Sequence, residues 1–288
     1  MKHDGQPSQT ALMAAAARAA HLIVDGEPRI FTDPLAYRLL GAGAEEMVGY
    51  HRSHGGHPVL AGARVSAVTR SRYTEDRLAQ GARRGLTQYV VLGAGLDSFA
   101  YRPEAAAGIR VFEVDHPATQ RWKRDLLAGA GIAVPDTVAF VPADFEDGSL
   151  ADRLAAGGFD PARPAFVSWL GVSMYLTGQA VGRMLDVVAG FAPGSELVLD
   201  HLLPEELRDE AGRAYAEAVM AVAAQGGEPW VSFFGPEEMS SLLEEHAFEV
   251  IGHASQRDSV EAALWERSDA LRPSGLVHLA HARIPGPA

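Results

Sequence analysis

The 288 residues are 47% hydrophobic and 22% charged, with mean hydropathy −0.03, a balance that buries one sizeable core and excludes disordered and fibrous chains. A formal charge of −12, from 25 basic and 37 acidic residues, argues against a nucleic-acid backbone or an anionic membrane as partner, because both recruit clustered Lys and Arg; a small molecule in a pocket is expected instead. The absence of cysteine removes disulfides, thiolate metal sites and a cysteine nucleophile.

Arg18 interrupts the apolar stretch "TALMAAAARAAHL" and no run approaches membrane-spanning length, so a cytoplasmic protein is expected. Residues 1–85 carry a helical pattern: that stretch, "DPLAYRLLG" with Pro34 opening a helix after Asp33, and "ARVSAVTRSRYTEDRLAQGARR". They read as a helical cap or lid. Within them "HRSHGGH" puts His51, His54 and His57 at i, i+3, i+6 in a glycine-rich stretch without an adjoining carboxylate, the pattern of a solvated loop and not of a metal site.

From residue 86 strands alternate with helices. "QYVVLGAG", "RVFEVDH", "TVAFVPADF", "PAFVSWLGV" and "SELVLDHLL" read as strands, each but the last followed by a turn and a helix such as "PATQRWKRDLLAGA" or "TGQAVGRMLDVVAGF". Near-continuous apolar strands between helices make a parallel sheet covered on both faces. "GPEEMSSLLEEHAFEVIGHAS" and "GLVHLAHARI" supply a last helix and two closing strands. The expected architecture is a doubly wound α/β core over 86–288, with an insertion at about 204–234 joining the amino-terminal helices as a cap over its carboxyl edge.

Ligands of such sheets lie beyond the carboxyl ends of the strands, beside the first. There "VVLGAGLDSFAYR" breaks into Gly93 and Gly95, which turn the backbone sharply and leave room for a ligand. Asp115 stands 20 residues after Gly95, where an acidic residue is expected for ribose hydroxyls; its competing reading is the cap of the next helix. Glu113 shares its face of the strand and either meets a ligand or forms a local salt bridge. A dinucleotide site wants a third glycine where "GAGLDS" has Ser98, and Asp97 sets a negative charge beside the pyrophosphate position. Both favour a cofactor without phosphates, such as S-adenosyl-L-methionine. "FVPADFE" places Asp144 at the same edge, where its carboxylate would accept from an adenine amino group and the Phe145 backbone would reach the ring; the alternative for Asp144 is a helix cap.

These stretches, together with "FTDPLAYRLLG", "TRSRYTED" and "SWLGVSMYL", resemble the leucine carboxyl methyltransferase family over roughly residues 30–203. The resemblance implies a class I methyltransferase: a Rossmann-like, seven-stranded sheet with one antiparallel strand, a lid of helices, and S-adenosyl-L-methionine as cofactor. It implies that Arg70, with Arg72 as second choice, holds the methionine carboxylate, that Gly93 contacts the methionine moiety, Asp115 the ribose, and Asp144 with Phe145 the adenine. Where some members carry a glutamate near the cofactor amine this chain has Leu170, leaving a backbone carbonyl to accept from it.

Methyl transfer is an in-line displacement that asks chiefly for alignment. An ionised carboxylate acceptor needs no base, whereas a phenol profits from one. The resemblance, together with an acceptor already ionised at neutral pH, implies O-methylation of a small-molecule carboxylate, a polyketide or aromatic acid of secondary metabolism. The alternative is a phenol or hydroxyl O-methyltransferase with His201 of "VLDHLL" as base. Tyr175 of "SMYLT" is placed to donate to the acceptor, and Trp230, Phe233 and Phe234 of "EPWVSFFGP" to wall its pocket; each of these side chains reads equally as packing. From other classes, a nicotinamide-dependent oxidoreductase and a non-catalytic cofactor-binding regulator stay open, as does the oligomeric state.

Overall fold

The computed structural model describes residues 8–145 and 150–286. Among them the strands β1 (Gln88–Leu92), β2 (Arg110–Asp115), β3 (Val138–Pro142), β4 (Ala165–Trp169), β5 (Glu196–Leu202), β6 (Glu249–Ser255) and β7 (Val277–Arg283) form one sheet in the order β3-β2-β1-β4-β5-β7-β6. The first five pair in parallel, and β7 runs antiparallel to both β5 and β6. This is the doubly wound sheet expected from the strand–helix alternation, with the one antiparallel strand that the family resemblance implies.

The two-residue period of a strand sorts the apolar residues between two cores. Val90, Leu92, Phe112, Val167 and Leu199 pack with α6 (Leu150–Ala156), α7 (Gly178–Ala189) and α9 (Pro236–Glu245). Tyr89, Val91, Val111 and Val198 pack on the opposite face with α4 (Pro58–Arg83) and α5 (Pro117–Gly129). Two of these helices start on the same local device: His57 and His116 cap α4 and α5 through their rings, each followed by a proline whose missing N–H would be unpaired there anyway.

One expected helix is absent. After the glycine turn the chain makes only a three-residue 3-10 turn, Phe99–Tyr101, before β2. Pro103 disfavours helical backbone at Arg102, which is extended at φ −104°, ψ 96°. The rings of Phe99 and Tyr101 cover the sheet there instead, Phe99 edge-on to Tyr89 at 5.1 Å.

The amino-terminal helices α1 (Gln9–Val24), α2 (Ala36–Leu39) and α3 (Ala44–His54) pack on one another through small residues, with Ala15, Ala16 and Ala19 buried in their contacts, and α1 also joins α4. A buried charge cluster secures the join. Arg64 of α4 grips both oxygens of Asp25 at 2.8 and 2.9 Å, donates to the Gly55 carbonyl at 2.7 Å and lies 3.2 Å from His51. The stretch "HRSHGGH" is thus no solvated loop: His51 and His54 belong to α3 and His57 caps α4, and each ring has its own partner, His51 at Arg64, His54 at the Tyr50 carbonyl and His57 at the Val59 N–H. Among the described residues, no group of three or more His, Asp or Glu could hold a metal ion, and no helix is long and apolar enough to cross a membrane. The insertion after β5 contributes α8 (Glu210–Gln225), whose Tyr215 ring lies on Gly62 of α4, where any Cβ would come within 2.6 Å of it.

Candidate active site

The end of β1 folds back over the end of β2. Gly93 and Ala94 both donate their backbone N–H to the Val114 carbonyl, at 2.9 and 3.0 Å. Gly93 has φ 71° and Gly95 φ 44°, backbone that favours glycine. Space also forbids side chains: a Cβ on Gly93 would stand 2.4 Å from Val172, and one on Gly95 2.9 Å from Ala11 of α1. Asp115 closes the turn, its Oδ2 accepting the Gly95 N–H at 2.5 Å and its Oδ1 the His116 N–H at 2.7 Å. Burial raises this carboxyl above the ordinary aspartate value, against the pull of those two bonds. Carboxylate oxygens offer more than one lone pair each, so acceptor capacity remains. Glu113 is instead taken by the protein, in an ion pair with Lys123 at 2.8 Å and a bond from the Tyr101 hydroxyl at 2.9 Å.

Beside the turn lies a second charged pair. Arg70 of α4 donates from Nη1 to Asp200 Oδ2 of β5 at 3.1 Å, and Asp200 Oδ1 accepts the Gly171 N–H at 2.7 Å. The Asp200 side chain is fully buried, while 19% of the Arg70 side chain stays exposed. Burial raises the Asp200 carboxyl and the Arg70 charge opposes that rise. Gly171 makes room for the guanidinium, which a Cβ would approach to 2.8 Å. Since Leu92 pairs with Trp169, Gly93 and the Leu170–Gly171 turn are neighbours, and Arg70, Gly93 and Leu170 meet at one edge. Arg72 is spent on Asp76, at 2.7 Å. Asp200 escapes the sequence reading, although it had a signal: a carboxylate inside the apolar strand "LVLDHLL", where a charge is costly unless something engages it.

The model of the leucine carboxyl methyltransferase family matches residues 11–189, the span that carries α1, Arg70, the glycine turn, Asp115 and β4. The chain belongs to the leucine carboxyl methyltransferase family. YktD of Bacillus subtilis, named an S-adenosyl-L-methionine-dependent methyltransferase, is 35% identical over 217 residues, 75% of this chain and 71% of that one. A Mycobacterium tuberculosis protein named for the same activity is 35% identical over 197 residues, 64% of this chain but 62% of its own length. A crystal structure from Thermobifida fusca shares the fold, with a TM-score of 0.62 at 21% identity over 99% of this chain and 97% of that one. This family member is an S-adenosyl-L-methionine-dependent methyltransferase, and S-adenosyl-L-methionine is its cofactor.

The remaining site residues of the methyltransferase divide. Asp144 and Phe145 follow β3 beside the turn, Asp144 exposed and Phe145 packed at the margin of the core. Tyr175 lies beside Thr10 of α1 and Trp230 of the insertion, and burial raises its hydroxyl. Tyr175, Tyr215, Met220, Trp230 and Phe233 wall an apolar cluster between β5 and the insertion. Phe234 does not join them. Its N–H donates to the Leu202 carbonyl at 2.9 Å and its own carbonyl lies 2.9 Å from His201 Nδ1, which pins it to β5 and turns its ring into the sheet core.

His201 is not brought to this edge. Neighbouring strand residues point to opposite faces, so Asp200 faces α4 and His201 faces the α9 side. The His201 ring is fully buried, 6.0 Å between centroids from both His253 and His278. Burial pushes it down to about 3, which keeps it neutral with Nδ1 donating to the Phe234 carbonyl.

Proposed function

We propose that this methyltransferase methylates a carboxylate oxygen of a small molecule, an aromatic or polyketide-like acid of secondary metabolism. The placement of His201 carries the reading. The base that a phenol or alcohol acceptor would call on is buried on the far face of β5, whereas a carboxylate is ionised at neutral pH and needs none. Burial raises Tyr175 and takes Tyr215 up to about 12, so both hydroxyls stay neutral, suited to donate to an acceptor oxygen. The rings of Trp230 and Phe233 beside them offer flat apolar walls to an aromatic acid.

The residues at the carboxyl edge fit the cofactor. Asp115 has acceptor capacity for ribose hydroxyls, Arg70 has a charge for the methionine carboxylate, and Asp144 with Phe145 would receive the adenine. When bound, S-adenosyl-L-methionine supplies a methyl group on a cationic sulfur, which an oxygen lone pair takes up as the carbon–sulfur bond breaks to a neutral thioether. What the protein adds is alignment, worth about 7–11 kcal/mol in favourable cases.

The test offers a panel of aromatic and polyketide-like acids with labelled methyl donor. The product should be a methyl ester that hydrolyses in mild base, and His201→Ala should lower kcat/KM by less than about tenfold. General-base catalysis contributes about 10²- to 10⁴-fold, so a base-stable product together with a loss of that size would replace the carboxylate by a hydroxyl acceptor.

A further inference from the structure

Arg72, the second candidate for the methionine carboxylate, lines a different space. A cavity of about 310 Å³ opens between α4 and the loop after β6, and its wall on α4 carries Arg72, Tyr73, Asp76, Arg77 and Arg83. Ser259 and Glu261 close it from the loop. We propose that this cavity is a second ligand site, built for a small hydroxylated phosphate monoester of the triose or pentose phosphate class.

Three arginines around one cavity run against the charge of the whole chain, −12. One of them is neutralised within the protein: Arg72 donates from Nε to Asp76 at 2.7 Å and from Nη1 to the Ile30 carbonyl at 3.4 Å. The other two keep their charge. Arg77 lies over the Tyr73 ring, 4.7 Å from its centroid, and the one hydrogen bond of its side chain is a long contact of 3.4 Å to the Gln80 amide oxygen. The ring thus holds the guanidinium without spending its N–H groups. Among the described residues the Arg83 side chain has no hydrogen-bond or ion-pair partner. Two guanidinium groups without carboxylates match a phosphate monoester, which carries a charge of about −1.5 to −2 at neutral pH and meets arginine in forked, charge-assisted bonds. A long polyanion does not suit the place, because the field of an acidic chain opposes it.

The loop side supplies acceptors. Among the described residues the Glu261 side chain also lacks a partner. Ser259 donates its hydroxyl to the Gln256 carbonyl at 2.9 Å, which leaves its oxygen to accept. A bare phosphate gains nothing from these groups and is repelled by the Glu261 and Asp76 charges, whereas hydroxyls on the same molecule would donate to them. The lining holds no aromatic ring besides Tyr73, which Arg77 already covers. That separates this ligand from an aromatic acceptor of the methyl group.

Calorimetric titration with ribose 5-phosphate, glycerol 3-phosphate, inorganic phosphate and ribose separates the parts. At least one ester should bind about tenfold or more tighter than inorganic phosphate, and ribose should give no saturable heat. Arg77→Gln combined with Arg83→Gln should weaken that ester about tenfold or more and hold S-adenosylhomocysteine within about twofold. Glu261→Gln should weaken the ester yet leave inorganic phosphate as tightly bound or tighter, because a repelling charge is gone. Esters that bind no tighter than inorganic phosphate, or not at all, would overturn the proposal, as would an ester affinity untouched by the arginine substitutions. A parallel loss for S-adenosylhomocysteine would make the two arginines props of α4 and overturn it as well. Should the double variant not fold, wild type and Glu261→Gln decide, since an unchanged ratio of ester to phosphate affinity in Glu261→Gln overturns the proposal.

Discussion

Asp115 does two things with one carboxylate: it accepts the backbone N–H groups of Gly95 and His116, and it keeps lone pairs for hydroxyls of a ligand. S-adenosyl-L-methionine or its demethylated product should therefore raise the melting temperature, since binding to the folded state alone stabilises by RT ln(1 + [L]/Kd). NAD should not, because no helix follows the glycine turn to present its N-terminus to a pyrophosphate. Asp115→Ala should lower the ligand-free melting temperature through the two orphaned amides and, separately, abolish most of the ligand-induced shift. Thermal unfolding with and without ligand reads both effects, and a full shift in the variant would remove Asp115 from the cofactor site. Asp115, Gly93 and Gly95 were legible because their signal is local spacing. Glu113 was ambiguous for the opposite reason: its outcome depended on Lys123 and Tyr101, side chains that no rule of spacing assigns to it.

At the scale of elements, α1 is held at three points over the glycine turn. Near its start Ser8 accepts the Ala11 N–H at 3.2 Å and donates to Glu228 at 3.0 Å, while Thr10 donates its N–H to the same carboxylate at 3.3 Å. In the middle Arg18 donates to the Leu96 carbonyl at 2.7 Å and pairs with Asp33 at 2.9 Å. At the end His21 lies 3.0 Å from Asp25, in the Arg64 cluster. The Glu228 carboxylate from the insertion sits where a helix N-terminus favours negative charge. Glu228→Ala should cost about 1 kcal/mol, the usual value of a cap. It should also speed hydrogen exchange in the first turns of α1 while leaving the Asp25 end protected; mass spectrometry of peptides across α1 checks this, and uniform acceleration through the whole chain would count against a local latch. The helical character of α1 and α4 could be read from their periodicity. That "HRSHGGH" is helix, and that a helix is missing after β1, could not: a local loop-like composition was overridden by the Arg64 cluster in one case, and a helix-like composition by Pro103 and by aromatic packing in the other.

At the scale of the molecule, stability should depend on pH through its buried histidines. Burial takes His201 down to about 3 and His51 to about 4 from an ordinary 6.5, and lowers His253 and His278 as well. These rings are neutral in the folded chain and bind protons once it unfolds. Their contribution is thus complete above pH 6.5 and is lost as pH falls from there toward the folded values. The buried acids Asp115, Glu113 and Asp200 are raised and act in the opposite sense, so the clean measurement is a difference. The stability of wild type minus that of His201→Asn, whose amide can still donate to the Phe234 carbonyl, should fall between pH 6.5 and about 3. A flat difference over that window in denaturant titrations would show that His201 is not held neutral.

What the sequence determined by itself was whatever repeats or is spaced along the chain: the alternation that makes a covered parallel sheet, the glycine turn, the acidic residue 20 positions on, and the motif order that marks the family. The strand period also determined that Asp200 and His201 part company. Which of the two faces the site was decided only by the tertiary structure, because the arginine that engages Asp200 lies 130 residues away on α4, and nothing in the local pattern of β5 says which of its faces α4 will cover. The same reason separates Trp230 and Phe233, in the cap cluster, from Phe234, in the sheet core: adjacent rings are divided by the backbone bonds that pin Phe234 to β5, and such bonds exist only once the distant strand is in place.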